Sequence, residues 1–231
     1  MLKSKQIISI EGNIGSGKSH TLAAIKEKLK DKFSNNPILY VEEPVEYFRE
    51  AVISGKKFFP LTDYYKDPVK GGVALQLWIL EVFTQQYELL SKISTSNHVI
   101  IMDRNINSSK VFIETMWKQG LLSDFSKTLL MSKVDDAIAR FFGPKKLPVD
   151  KIFFLNTPVD QCLQNISRRN RFEEQVVLDQ TRKTYLFDLE DVYKRYLLQF
   201  SQKKGDDVSV RFFYSEKTDE VVDSFIEFLQ K

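Results

Sequence analysis

Eight residues near the start of the chain, Gly12-Asn13-Ile14-Gly15-Ser16-Gly17-Lys18-Ser19, fit the pattern G-x-x-x-x-G-K-[ST] and leave few folds open. Such a loop works between a strand and a helix, and both flanks are readable. Gln6–Glu11 is a short β-branched run, and from Ser19 to Phe33 the residues Leu22, Ile25, Leu29 and Phe33 recur at helical spacing. The glycines let successive backbone N–H groups turn inward around phosphate oxygens, and the helix N-terminus adds the positive end of its dipole. Lys18 would reach the outer phosphates, and Ser19 would bind Mg²⁺ through its hydroxyl. A turn that merely tightened a strand–helix corner would have no need of Lys18-Ser19. The loop predicts a nucleoside triphosphate site and leaves the reaction open.

The rest of the chain alternates in the same way. Ile38–Val41, Val99–Met102, Lys151–Leu155 and Ser209–Tyr214 are apolar nearly throughout, as parallel strands covered on both faces are. Helical spacing marks Glu46–Ser54, Gly72–Ile93, Ser108–Lys118, Leu122–Phe142, Val159–Arg168, Leu178–Phe200 and Lys217–Gln230. The expected architecture is α/β: a five-stranded parallel sheet with helices on both faces. Gly55–Gly71 reads as one long irregular segment, of a length that in compact domains is usually functional. With 231 residues, 42 % hydrophobic and 28 % charged, the chain reads as one domain over residues 1–231.

Composition excludes several classes. A net charge of +3 is too small to imply a nucleic-acid partner. Cys162 is the only cysteine, so no internal disulfide forms, which fits a reducing compartment. No apolar run reaches the roughly 18 residues of a membrane span. A first strand beginning near Gln6 leaves no room for a signal or transit peptide, and the expected location is cytoplasmic.

Ligands on such sheets gather at the carboxyl ends of the strands. The first strand ends in the glycine loop, the second in Glu42-Glu43-Pro44 and the third in Asp103-Arg104. Glu43 is a candidate general base, since a hydroxyl attacking a phosphoryl group must lose its proton. Asp103 would face a metal or its waters. Arg104 would hold the base carboxylate and the reacting oxygen, because a guanidinium forks onto two oxygens and never deprotonates. Helix capping by Glu43 and a strand-end salt bridge at Asp103-Arg104 are the structural alternatives. After the fourth strand comes Arg168-Arg169-Asn170-Arg171-Phe172-Glu173-Glu174. This run reads either as a solvated, self-paired face or as a lid whose Arg169 and Arg171 close over phosphates, with Glu174 turned toward the acceptor's sugar.

Taken in order, these motifs resemble the deoxyribonucleoside kinase family, over Ile7 to about Tyr196. Ile10–Ser19 is similar to that family's version of the phosphate loop. Glu43-Pro44-Val45 matches its Glu-Pro-Val, Tyr65…Pro68…Gln76 its substrate segment, Asp103-Arg104 its acid–Arg–Ser step, and Arg169-Asn170-Arg171-Phe172-Glu173-Glu174 its lid. The resemblance implies a P-loop kinase fold with an arginine lid. It implies 5′-phosphorylation of deoxyribonucleosides with ATP and Mg²⁺, and a homodimer formed through helices. It assigns Glu43 as base, Tyr65 to the sugar 3′-hydroxyl, Gln76 to the nucleobase and Glu174 to the sugar.

The departures bear on selectivity. Phe48 stands where the family has tryptophan, Asn105 where it has serine, and Asn165 where it has the first lid arginine, unless Arg168 substitutes. Phe83 and Ser109 occupy positions that carry an arginine and an aspartate in deoxycytidine and deoxyguanosine kinases. The uncharged pair resembles the thymidine-accepting and multisubstrate branch, and Ile79 and Phe83 would narrow the pocket against purines. Two other readings compete. A nucleoside-monophosphate kinase such as thymidylate kinase shares the loop and lid but needs cations for its acceptor, where this chain has Tyr65 and Gln76. A non-catalytic nucleotide-binding module would have no need of Glu43 and Asp103.

Overall fold

β1 (Gln6–Gly12) is the middle strand of a parallel sheet in the order β2-β5-β1-β6-β7, with β2 (Ile38–Val41), β5 (Val99–Asp103), β6 (Lys151–Leu155) and β7 (Ser209–Phe213). The computed structural model describes residues 6–30, 38–92, 98–144, 147–170, 183–202 and 208–230. Successive residues of a strand point to opposite faces, and that alternation divides the core in two. Ile8, Ile10, Ile101, Phe153 and Leu155 face one side, under α1 (Lys18–Leu29) and α9 (Thr218–Gln230). Ile7, Ile100, Met102, Ile152 and Phe154 face the other. That side is covered by α4 (Pro68–Lys92), α5 (Ser108–Lys118), α6 (Asp124–Phe142) and α8 (Lys183–Gln202). α7 (Val159–Arg169) packs Val159, Cys162 and Ile166 beside the glycine loop with Leu186 of α8. Burial pushes the Cys162 thiol up to about 12, so this cysteine is an inert packing residue.

The buried cation Lys151 is satisfied by the end of a helix. Its ammonium donates to the carbonyl oxygens of Phe228 and Leu229 in the last turn of α9, at 2.9 and 3.1 Å. Among the described residues no helix is long and apolar enough to cross a membrane.

The chain departs from the sequence expectation mostly around residues 46–72. The expected helix Glu46–Ser54 stops at Arg49 as α2 (Val45–Arg49), and Ala51–Ile53 is instead a strand, β3, paired antiparallel with β4 (Lys56–Phe58). Ser54 and Gly55 both take positive φ, 51° and 75°, which is the two-residue turn that matches the twist of a hairpin. Nor is Gly55–Gly71 irregular. After β4 it holds α3 (Pro60–Lys66), and α4 starts at Pro68 rather than Gly72. Both prolines sit at the first position of a helix, where the missing N–H is harmless and φ is already helical. Gly71 then lets α4 lie against α3, since a methyl group there would come 2.7 Å from the Tyr64 Cα. Ser123 caps α6 by accepting from the Ser126 N–H at 3.1 Å, which moves that helix start to Asp124.

Candidate functional site

The sheet order puts the ends of β1, β5 and β2 side by side, and the groups that follow them converge. At β1 the chain leaves through Gly12, Gly15 and Gly17, all at positive φ. Asn13 ties the loop down: its side-chain amide donates to the Leu186 carbonyl on α8 at 2.8 Å, and its side-chain oxygen accepts from the Ile14 N–H at 2.8 Å. Gly15 lies against α7 so closely that an added methyl would come 2.4 Å from the Cys162 carbonyl oxygen. Lys18 is buried and donates to the carbonyls of Asn13 at 2.9 Å and Gly12 at 3.3 Å. Burial, together with the nearby Arg104 charge, lowers its pKa to about 8. Thr157, beyond β6, supports the loop by donating to the Ser16 carbonyl at 2.9 Å.

Ser19, the second residue of α1, donates to a carboxylate oxygen of Asp103 at 2.7 Å. The other Asp103 oxygen is buried without a hydrogen-bond partner among the described residues. Those two groups fit Mg²⁺, which binds through one or two protein oxygens and otherwise keeps phosphate and water ligands. No cluster of three His, Cys, Asp or Glu side chains among the described residues would hold a metal without phosphates.

Arg104 follows Asp103 in a left-handed conformation, φ 64°, at a cost of about 1–3 kcal/mol for a residue with a side chain. Its N–H donates to the Ile10 carbonyl at 3.1 Å, which fixes the chain as it leaves β5. The bend sends a guanidinium that is buried to 3 % exposure across to Glu43, with Nε 3.1 Å from the Glu43 Oε1. Phe112 lies beneath it, the guanidinium carbon 4.9 Å from the ring centre. Glu43 leaves β2 with 21 % of its side chain exposed. Burial among protein groups pushes its carboxyl above the usual value, Asp103 and Glu11 add to that, and Arg104 and Lys18 oppose it.

These groups open on one cavity of about 480 Å³. Its polar end is Gly15, Gly17, Lys18, Ser19, Glu43 and Arg104, with Arg169 of α7 at the margin. Its far end is apolar, and every uncharged residue expected there from the sequence lines it: Val45, Phe48, Tyr65, Gln76, Ile79, Phe83 and Ser109. The Phe48 and Phe83 rings meet at 6.0 Å and form one wall. The Gln76 amide nitrogen donates to the Met116 sulfur at 3.4 Å, while its oxygen and the Ser109 hydroxyl are buried without hydrogen-bond partners among the described residues. Two orphaned polar atoms in an otherwise apolar chamber mark where a ligand's polar edge would be read.

A second cavity, of about 390 Å³, lies on the other side of the loop between Ser16, His20, Thr157, Tyr214 and Arg168. Consecutive arginines thus face different chambers, Arg168 this one and Arg169 the first. Asn165 lines both chambers without a charge, and its amide donates to the Gly15 carbonyl at 2.8 Å and braces the loop. Arg171 and Glu174 of the expected lid lie outside the described residues. Sequence reasoning missed Phe112, Met116 and Tyr185 as lining residues, because their helical spacing reads equally well as core. It also missed Glu11 and Tyr193, whose proximity to Arg104 depends on strand order.

Comparison with known proteins agrees with this geometry. A family model described as Deoxynucleoside kinase matches residues 8–230. The Dictyostelium discoideum protein "Deoxyguanosine kinase" is 27 % identical over 207 residues, covering 89 % of this chain and 63 % of that protein. The Bos taurus mitochondrial NADH dehydrogenase (ubiquinone) 1 alpha subcomplex subunit 10 is 24 % identical over 235 residues, covering 100 % of this chain and 66 % of that protein. The chain therefore spans about two thirds of the length of these curated relatives. A solved deoxyadenosine kinase from M. mycoides, with dCMP and dCDP bound, superposes with a TM-score of 0.71 at 18 % identity, covering 97 % of this chain and 98 % of that one. The fold is accordingly the P-loop kinase fold, and with a family match over nearly its whole length the chain belongs to the deoxynucleoside kinase family.

Proposed function

We propose that this chain phosphorylates the 5′-hydroxyl of deoxyribonucleosides, with ATP as donor and Mg²⁺ as cofactor. The observation that carries the reading is the composition of the first cavity. A carboxylate of raised pKa, its arginine and the loop lysine stand at one end, and an uncharged Gln76–Ser109 pair stands at the other. The nucleoside's base enters toward Gln76, between Phe48–Phe83 and Phe112, and its sugar lies against Tyr65 and Glu43. As the 5′-oxygen attacks the γ-phosphorus, its proton passes to Glu43 and the bond to the leaving diphosphate breaks. Arg104 keeps Glu43 aimed, and Lys18 and Arg169 stabilise charge on the transferring group. Arg171 and Glu174 complete the lid in this reading, the first on the phosphates and the second on the sugar. Mg²⁺ held by Ser19 and Asp103 would supply charge neutralisation at the outer phosphates. The donor's base and ribose take the second cavity, beside Arg168 and Tyr214.

A monophosphate acceptor would bring its phosphate, the attacking group, to the Glu43 end of the first cavity, where the Glu43 carboxylate would oppose a dianion and Arg104 is already paired with that carboxylate. One relative is named as a subunit of NADH dehydrogenase and not as a kinase, so a role without nucleoside phosphorylation is the second reading. The presence of Glu43, Arg104 and Lys18 around one cavity, with Asp103 accepting from the cavity residue Ser19, favours catalysis in this chain. With no charged group facing Gln76 and Ser109 among the described residues, thymidine and deoxycytidine are expected ahead of the purine nucleosides, which Ile79 and Phe83 crowd. The test is ATP consumption against a panel of the four deoxynucleosides and their monophosphates, with kcat/KM measured under one condition. Turnover of monophosphates alone, or of nothing, would overturn the nucleoside kinase reading. A purine value tenfold above thymidine would overturn only the pyrimidine preference.

A further inference from the structure

Behind Arg104, on the side away from Glu43, the structure buries a second carboxylate. Glu11 is the penultimate residue of the central strand β1 and is 2 % exposed. Its Oε1 accepts from the Ser9 hydroxyl at 2.6 Å, the Asn105 amide at 2.8 Å and the Ser108 hydroxyl at 2.7 Å. Its Oε2 accepts from the Tyr193 hydroxyl at 3.1 Å and lies 3.8 Å from the Arg104 Nη1. Tyr193, 1 % exposed on α8, links the two, because its oxygen also accepts a hydrogen bond from the Arg104 Nη1. The guanidinium thus lies between the Glu43 carboxylate, an ion-pair partner of its Nε, and Tyr193, which accepts from its Nη1, with Glu11 behind.

Packing alone gives no reason for this arrangement. A buried ionic cluster is no more stabilising than well-packed apolar residues of the same volume. The reaction supplies a reason. When Glu43 takes the proton of the attacking hydroxyl it becomes neutral, and Arg104 loses its partner on the cavity side. A buried guanidinium left without a counter-charge would shift or draw in water. Glu11 has four donors fixed on it by β1, the connection from β5 to α5, α5 and α8, so its carboxyl group stays in place beside Arg104 through that step. We infer that Glu11, acting through Tyr193, is a positioning residue that holds Arg104 in place while the base is protonated. The inference rests on the kinase reading above and adds to it a residue that touches neither nucleoside nor ATP.

The test compares Glu11→Gln, which keeps the shape and removes the charge, with Tyr193→Phe, which removes the bridging hydroxyl. Two readouts are taken. In steady-state kinetics per folded molecule, Glu11→Gln is expected to lower kcat about 10- to 100-fold with nucleoside KM within about threefold, the pattern of an interaction that matters in the transition state. Tyr193→Phe should show the same split with a smaller drop. In ¹⁵N-arginine-labelled protein, the Arg104 Nη resonances, assigned by their loss in Arg104→Lys, should broaden or exchange rapidly in both variants. A folded Glu11→Gln protein with kcat within threefold of wild type, or with unchanged Arg104 resonances, overturns the inference. If Glu11→Gln does not fold, Tyr193→Phe is judged by the same criteria. If wild-type protein turns over no nucleoside, the kinase reading fails, and the resonances still decide whether Glu11 holds Arg104.

Discussion

At the scale of single residues, the site works by setting opposite charges close together with little water between them. Glu43 is the clearest case. Burial raises its pKa, so it is a stronger proton acceptor than an exposed glutamate, while the neighbouring Arg104 keeps it oriented. Because the folded pKa is raised, Glu43 is protonated and inactive on the acid side and becomes competent as pH rises. The acid limb of kcat/KM for the nucleoside is therefore expected above the ordinary glutamate value of 4.5. Glu43→Gln should lower kcat by about 10²–10⁴-fold with nucleoside affinity little changed. It should also erase that limb, and pH–rate profiles of the two proteins check both expectations together. Near-normal kcat in the variant would reduce Glu43 to a structural group at the exit of β2.

At the scale of elements, α7, α8 and the chain leaving β6 press on the glycine loop from three directions. The α7 contact is the tightest. Gly15 has φ +79°, and a methyl group there would sit 2.4 Å from the Cys162 carbonyl oxygen and 2.9 Å from the Ile166 side chain. Gly15→Ala is expected to destabilise the fold by about 2–4 kcal/mol, from backbone strain and overpacking combined. It should weaken ATP binding in whatever fraction folds, as urea unfolding and nucleotide titration would show. Loss of ATP binding with unchanged stability would mean the loop moves independently of α7. The loop, the five strands and the residues at their carboxyl ends were legible because each depends on local spacing that a parallel sheet imposes. Strand boundaries at Ile38–Val41 and Lys151–Leu155 agree to the residue, since apolar runs end where the chain leaves the core. The β3–β4 hairpin was not legible, because Val52 and Ile53 are exposed and only the Ser54-Gly55 turn betrays them. Glu11 escaped for another reason. Its partners Asn105, Ser108 and Tyr193 lie 94, 97 and 182 residues away, and only the placement of β5 beside β1 brings α5 to it.

At the scale of the whole molecule, the two cavities occupy the carboxyl edge of the sheet, and the helices beyond one face are left to do something else. α4 and α6 lie side by side there, joined by the Tyr87 and Phe141 rings at 5.7 Å and by an ion pair from Arg140 to Glu88 at 2.5 Å. Their inner faces fill the core, yet their outer faces are not polar throughout. Phe125 is 77 % exposed, Leu129, one turn along α6, is 39 % exposed, and Leu89 of α4 is 63 % exposed. Large apolar side chains on the outer faces of two neighbouring helices, Phe125 and Leu129 near the start of α6 and Leu89 beside its end, are costly to leave in water and can be covered by a two-fold interface. A homodimer through this face would cover them and leave the edge with both cavities open. Sedimentation of the wild-type protein across a concentration series is expected to give twice the chain mass. The double variant Phe125→Glu/Leu129→Glu should give the chain mass, because carboxylates placed opposite their own copies repel and cannot be desolvated. A wild-type protein that stays monomeric throughout the series, or a double variant that remains dimeric, would remove α6 from the interface. Retained activity in the monomeric variant is also expected, since neither substituted residue lines a cavity. That result would separate assembly from catalysis: each chain would then hold a complete site of its own.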